Sequence, residues 1–262
     1  MKKPLRHLLP LLLPLLLVIA WEAIVQIRNI PLYLLPAPSQ VLTALVQQSA
    51  VMLPHALVSL GESLFGMVIA TALAALLAMA MDAWPLFRQA VYPMMVVSQS
   101  VPIIVLAPLF IIYFGFGLTP KVITVVLMCF FPIAVSLADG LGQVPVKMVD
   151  LLRTMGASRL DIYRLIKLPA AAPSFFSGLR VAATYSIMGA VVGEWLGGSA
   201  GLGFYMLRVK NAYMLDRVFA VVTLIVLLSL LLNAVVRGFE YLLTPWARHR
   251  QNSQTIEEGD NQ

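Results

Sequence analysis

The sequence carries a single cysteine, Cys129, set inside a hydrophobic run. That excludes a disulfide framework within the chain and reads as a packed thiol. Its three histidines, His7, His55 and His249, are spread over the whole length, so no metal-ligating cluster is expected. Charge is scarce: 11% of residues are Asp, Glu, Lys or Arg, against 60% hydrophobic. No glycine-rich run ends in Gly-Lys-Ser/Thr, so the chain has no Walker phosphate loop and is not expected to hydrolyse nucleotide itself. The run G-G-S-A-G-L-G at 197–203 lacks that ending, follows no strand pattern and reads as a turn. An intramembrane serine protease needs a histidine within the bilayer, and none lies inside an apolar run. An aspartyl type needs two buried aspartates, whereas Asp82 and Asp139 stand at run ends. The chain reads as a non-enzyme with no cofactor of its own.

Six long apolar runs are present, near 8–28, 56–80, 90–113, 119–139, 170–193 and 217–243. A bilayer core of ~30 Å needs about 20 helical residues per crossing. The runs lack strand alternation, and lipid tolerates only helices or closed barrels. The expected fold class is therefore an all-α membrane protein with six transmembrane helices, one domain over residues 1–262. Lys2, Lys3 and Arg6 ahead of Leu8–Ala20 resemble a signal peptide, but Trp21 and Glu22 occupy the place of small cleavage-site residues, so the first run is expected to remain as a span. Residues 251–262 are polar, with Glu257, Glu258 and Asp260, and read as a disordered tail. With the N-terminus inside, thirteen of the eighteen Lys and Arg fall on the inner side and five on the outer. The positive-inside rule then puts both termini in the cytoplasm. The same asymmetry accounts for the pI of ≈ 9.6, and no nucleic-acid partner is implied.

Residues 143–169 form a polar island with five of the eighteen basic residues. Pro145 suits a first helical position, and Met148, Leu151, Leu152 and Met155 recur on one helical face, with Lys147, Asp150 and Arg153 largely on the other. Gly156 suits a left-handed helix end. Ser158 followed by Asp161 has the arrangement of a capping box. Ile162, Leu165 and Ile166 give a second short helix an apolar stripe, and Pro169 is expected to stop it. This is a compact, water-facing knob suited to being gripped by another protein.

The island resembles the coupling loop of bacterial ABC-importer permeases: Glu-Ala-Ala, three residues, Gly, nine residues, an apolar residue, any residue, Leu-Pro. Gly156, Ile166, Leu168 and Pro169 occupy the matching places, and R-T-M-G-A-S-R at 153–159 follows the common form. Asp150, Leu151 and Leu152 depart from the opening, Asp150 keeping a carboxylate on a shorter arm. Trp21-Glu22 with L-P-A-P-S-Q-V at 35–41, and Y-F-G-F-G at 113–117, resemble the subgroup that handles sulfonates, nitrate and vitamin precursors. The resemblance implies a type I importer permease bundle working as a homodimer in the bacterial cytoplasmic membrane. Two cytoplasmic ATPase subunits would hold ATP and Mg, and an extracytoplasmic binding protein would deliver solute. It implies ATPase-coupling roles for Asp150, Leu152, Arg153, Met155, Gly156, Ser158, Arg159, Leu168 and Pro169. S-Q-S-V-P-I-I-V-L-A-P-L-F-I-I-Y-F-G at 98–115 and Y-S-I-M-G-A-V-V-G-E-W-L-G-G at 185–198 look most like permeases for hydroxymethylpyrimidine, a thiamin precursor; riboflavin, sulfonate or taurine, and nitrate relatives share much of this.

Other expectations concern the membrane region. Ser39 is expected to cap an interfacial helix with Val41, Leu42, Leu45 and Val46 on one face, lying on the outer leaflet. Pro102 and Pro108 should kink or open the third span. Beside the first break, Ser98, Gln99 and Ser100 either line a pathway or satisfy freed carbonyls. Ala182, Ser186 and Ala190, like Gly189, Gly193 and Gly197, recur at spacing four and suit close helix packing. Tyr185 and Glu62 complete the candidate translocation path. Glu62 either faces that path or snorkels to headgroups. Glu62 is also the one acid a gradient-driven secondary transporter could use, Glu22 and Glu194 falling near the outer surface. Such a carrier would not need the island.

Overall fold

The computed structural model describes residues 4–246, and among them the chain is helical with no strand. In order come α1 (Pro4–Ile27), α2 (Pro38–Gln47), α3 (Ser49–Ala83), α4 (Pro85–Ser98) and α5 (Ile103–Phe114). They are followed by α6 (Leu118–Gly142), α7 (Val146–Thr154), α8 (Arg159–Ile162), α9 (Leu168–Gly197), α10 (Leu202–Asn211) and α11 (Leu215–Leu243). Helix α3, helix α6, the continuous stretch Arg159–Gly197 and α11 are each long and apolar enough to cross a membrane; α4 and α5 reach that length only together, bent by 97° at their break, as a broken span or a re-entrant loop. The 24-residue α1 lies at the periphery, with Leu13, Leu16 and Leu17 exposed. The tail at 251–262 lies outside the described residues.

Lipid tails are as apolar as leucine, so membrane helices associate through close packing. The centre of the bundle shows this. Ala70, Ala74 and Ala78 on α3 meet Val125, Cys129 and Ile133 on α6, and Ala182 and Ala190 on α9. Cys129 is fully buried, its thiol 3.4 Å from the Ala182 carbonyl. A second cluster gathers Val41 and Ala44 of α2, Met52 and Ala56 of α3, Leu202 and Tyr205 of α10, and Val221 of α11.

Two sequence expectations change, and a third is met at Pro102 but not as an opening at Pro108. Helix α2 begins at Pro38, so Ser39 lies inside it and does not cap it. The Ser39 backbone N–H and hydroxyl both donate to Glu22 of α1, at 2.9 and 2.7 Å. The face that α2 buries is Val41 and Ala44, while Leu42 and Val46 are exposed; the helix packs against its own bundle as well as facing outward. In the third span the chain breaks at 99–102, whereas Pro108 is held within α5. Pro169 does not end a helix. Residues Tyr163–Lys167 form a π-helical turn that joins α8 to α9. The wider turn shifts the hydrogen-bond register just where Pro169 lacks an N–H, so the chain passes through without a stop.

Candidate functional site

The knob is built by local rules. Helix α7 ends in a Schellman motif: Ala157 N–H bonds Leu152 C=O and Gly156 N–H bonds Arg153 C=O, each at 3.0 Å. That motif needs a left-handed residue after the cap, and Gly156 has φ +84°. The capping box restarts the chain: Asp161 N–H donates to Ser158 Oγ at 3.2 Å and Ser158 N–H to Asp161 Oδ2 at 3.0 Å. Asp150 and Arg153 pair at 3.4 Å with both side chains exposed. Helix α7 buries no residue; Met148, Leu151 and Met155 are exposed, Met155 by 74%. The second stripe is split, Ile162 being buried and Leu165 exposed, because the π turn rotates the residues after Ile162.

The knob is tied to the bundle through Asp82 in the last turn of α3. Its carboxylate accepts from Lys167 Nζ at 2.7 and 2.6 Å and from the Tyr163 hydroxyl. Both partners sit on the π turn. Beside it, Asp139 of α6 accepts from the Tyr92 hydroxyl at 3.2 Å and lies 3.6 Å from Arg88. Asp82 and Asp139 are thus structural anchors at this end of the bundle.

At the opposite end a buried polar cluster surrounds the glycine-rich turn. Glu62 and Lys121 pair at 2.6 Å, their side chains only 6% and 8% exposed. The carboxylate is therefore not turned to headgroups. Glu194, at the end of α9, is almost wholly buried. Its Oε1 accepts from Ser59 Oγ and its Oε2 from Gly203 N–H, each at 2.6 Å. Ser59 Oγ also accepts Leu202 N–H at 2.8 Å, and His55 Nδ1 accepts Gly201 N–H at 3.1 Å. His55 lies within α3, not outside it, and serves as an acceptor for the turn. These bonds take up free N–H groups at the start of α10, a helix start leaving four without intrahelical partners. Gly193 brings α9 close enough that an added Cβ would lie 2.8 Å from Lys121 Cα.

The expected pathway residues fall in three places. Glu62 belongs to the buried cluster. Ser98, Gln99 and Ser100 are exposed at the α4–α5 break, where the Ser98 hydroxyl bonds the Met94 carbonyl at 2.7 Å. Tyr185 is exposed at a recess of about 300 Å³ with Ser177, Arg180, Thr184 and Asn233. Sequence reasoning missed Lys121, Glu194 and Ser59 as partners, since 59 and 135 residues separate the bonded pairs.

Residues 70–249 match the family described as the binding-protein-dependent transport system inner membrane component. The chain belongs to this family. It is 35% identical to the formylaminopyrimidine transport permease protein ThiX of Halalkalibacterium halodurans, over 95% of this chain and 99% of that one. It is 31% identical to the riboflavin transport system permease protein RibX of Chloroflexus aurantiacus, over 91% of this chain and 89% of that one. The MetNI methionine ABC transporter, in inward-facing conformations, shares the fold at a TM-score of 0.55 and 19% identity, covering 73% of this chain and 97% of that one. The protein is thus a multi-pass ABC-importer permease, a non-catalytic inner-membrane subunit that requires a separate ATPase and a solute-binding protein.

Proposed function

We propose that the permease works as a homodimer carrying hydroxymethylpyrimidine or another thiamin precursor, with residues 143–169 docked into each of two ATPase subunits that hold ATP and Mg. The observation that carries the coupling role is the exposed apolar face of α7, Met148, Leu151 and Met155, beside an ordered Schellman turn. A rigid knob with an uncovered apolar face at one end of the bundle is suited to a partner's cleft. Asp150, Arg153 and Arg159 offer exposed charged contacts beside that face, and Leu152, Ser158, Leu168 and Pro169 complete the proposed coupling segment. The excess of lysine and arginine on this side supports a cytoplasmic position for this end and for both termini.

The solute assignment is supported by the 35% identity to a permease named for formylaminopyrimidine; riboflavin, sulfonate or taurine, and nitrate are the competing solutes. Uptake of each labelled compound into proteoliposomes holding the permease, its ATPase and its binding protein tests the reading. ATP-dependent accumulation of hydroxymethylpyrimidine is expected. Accumulation of taurine or nitrate in its place overturns the solute, and a permease that captures no ATPase overturns the coupling role.

A further inference from the structure

Helix α9 shows a polar face well inside its span. Ser177, Thr184 and Tyr185 are exposed there, with the half-buried Arg180 between them. By helical rise, Arg180 stands about 20 Å from Glu194 of the outer cluster and about as far from Lys167 of the π turn. Its Nη1 donates to Glu240, in the last turn of α11, and just beyond that helix Trp246 Nε1 donates to the Pro169 carbonyl. The ion pair therefore lies within the bilayer, on the knob side of its middle.

Charged groups inside a membrane pair with one another and face the bundle interior or a water-filled cavity. The Arg180 side chain is 34% exposed, so it is not packed away. It borders a recess of about 300 Å³ between α9 and α11, lined by Ser177, Arg180, Val181, Thr184, Tyr185 and Asn233. Hydrocarbon would leave these polar groups unsatisfied, whereas water or a polar solute pairs with them. Asn233 Nδ2 and the Thr184 hydroxyl both donate to the Arg180 carbonyl, at 3.3 and 3.4 Å. Asn233 Oδ1 is left as an acceptor, and the Ser177 and Tyr185 hydroxyls have no intramolecular partner among the described residues. An arginine fork carries five N–H donors, so one carboxylate contact leaves others for a ligand. Glu240 has meanwhile cancelled the guanidinium charge. An anion here would add a charge without a counter-ion inside the bilayer; a neutral solute would not.

We propose that this recess is a solute-contact site on the translocation path for a small neutral nitrogen heterocycle. A ring nitrogen accepts from the Arg180 guanidinium, Asn233 Oδ1 accepts from an exocyclic N–H, and the solute's face lies against the Tyr185 ring. A hydrogen bond from a charged donor is roughly twice as strong as a neutral one, and aromatic contact selects flat rings over small tetrahedral anions. The volume stands at the lower end for ligand sites, which suits one ring better than several fused ones. The inference rests on the importer reading and assigns Arg180 as a specificity-determining residue, held in place by Glu240.

The test uses the chain's lone cysteine. Cys129→Ser removes it, and Val181→Cys places a thiol at an exposed position on the recess wall. The rate of N-ethylmaleimide labelling is measured on the nucleotide-free permease–ATPase complex in lipid nanodiscs. 4-Amino-5-hydroxymethyl-2-methylpyrimidine is expected to slow labelling, and taurine, nitrate and riboflavin to leave it unchanged. Adding Arg180→Met with Glu240→Gln removes both charges together and the guanidinium donors with them. It is expected to weaken protection by about tenfold in Kd, equivalent to about 1.4 kcal/mol, with ATPase capture retained. A Val181→Cys thiol that stays unlabelled without solute means a recess closed to water and overturns the site. Protection by taurine or nitrate equal to that by the aminopyrimidine overturns the neutral class, and equal protection by riboflavin overturns the single-ring limit. Undiminished protection in the paired variant overturns the role of Arg180. The first arm retains Arg180 and Glu240, so it decides the site even where the paired replacement fails to assemble. No protection by the aminopyrimidine, with ATP-driven uptake intact, removes the site and leaves the importer standing. Loss of ATPase capture and of uptake for every solute overturns the importer reading instead.

Discussion

Lys167 Nζ lies 2.7 and 2.6 Å from the two carboxylate oxygens of Asp82, closing a contact across 85 residues between the end of α3 and the π turn that carries the knob. Asp82 is 7% exposed and Lys167 17%. Removing one member of a buried pair leaves the other uncompensated, at a cost of about 3–5 kcal/mol. Asp82→Asn is expected near the lower end, because the Tyr163 hydroxyl can still bond the amide. The variant should melt earlier in detergent and lose uptake while still binding ATPase. The charge-reversed pair Asp82→Lys with Lys167→Asp should recover part of both. An unchanged melting curve for Asp82→Asn would mean that the clamp carries no load.

Gly156 holds φ +84° in open space, with nothing within 4 Å of an added Cβ. A side chain there meets no neighbour in this chain, so its intramolecular cost is backbone strain, about 1–3 kcal/mol. Asn tolerates the left-handed region better than other residues. Gly156→Asn should therefore retain most of the permease's stability, and Gly156→Asp should leave it inserted. Both add bulk at the docking face, and Gly156→Asp is expected to abolish uptake by weakening ATPase capture. Reconstituted uptake measured with co-purification checks this; normal transport with full ATPase occupancy by Gly156→Asp would show that the knob is not the coupler.

What the sequence made legible is local in origin. The apolar runs, the Gly156 turn and the Ser158–Asp161 box depend on residues a few positions apart, where spacing alone fixes the geometry. The unexpected features depend on distance. Asp82 meets Tyr163 and Lys167 across 81 and 85 residues, and Glu62 meets Lys121 across 59. Helix α10 is short, and its N–H groups are satisfied by Ser59 and Glu194 from other helices, with no cap of its own. The burial of Val41 and Ala44 in place of Leu42 and Val46 was likewise set by α11 and α3, not by the moment of α2 alone.

Ser59 holds two ends of one contact: it donates to Glu194 and accepts from Leu202 N–H. Ser59→Ala removes both and leaves a buried N–H and a buried carboxylate oxygen short of a partner, each worth about 1–3 kcal/mol. A melting point clearly below that of the parent complex is expected. Gly201→Ala should be worse, since its φ is +108° and the added Cβ runs into the Glu194 carboxyl. If Gly201→Ala is no less stable than Ser59→Ala, the turn is not held in the way described.

The orientation of the bundle rests on charge, and the structure supplies positions at which to measure it. Cys129 is buried, and Cys129→Ser gives a cysteine-free background. Arg159 opens α8 on the knob, whereas Lys210 lies near the end of α10 at the opposite end of the bundle; both are exposed. If the knob faces the cytoplasm, an impermeant maleimide added to intact cells should label Lys210→Cys and spare Arg159→Cys until the membrane is opened. Losing the knob's arginine removes one of thirteen inner charges, too small a change to invert the bias of thirteen against five. Labelling of Arg159→Cys from outside would therefore report the native orientation and reverse the assignment. It would leave the knob unable to reach a cytoplasmic ATPase, and with it the coupling role would fall.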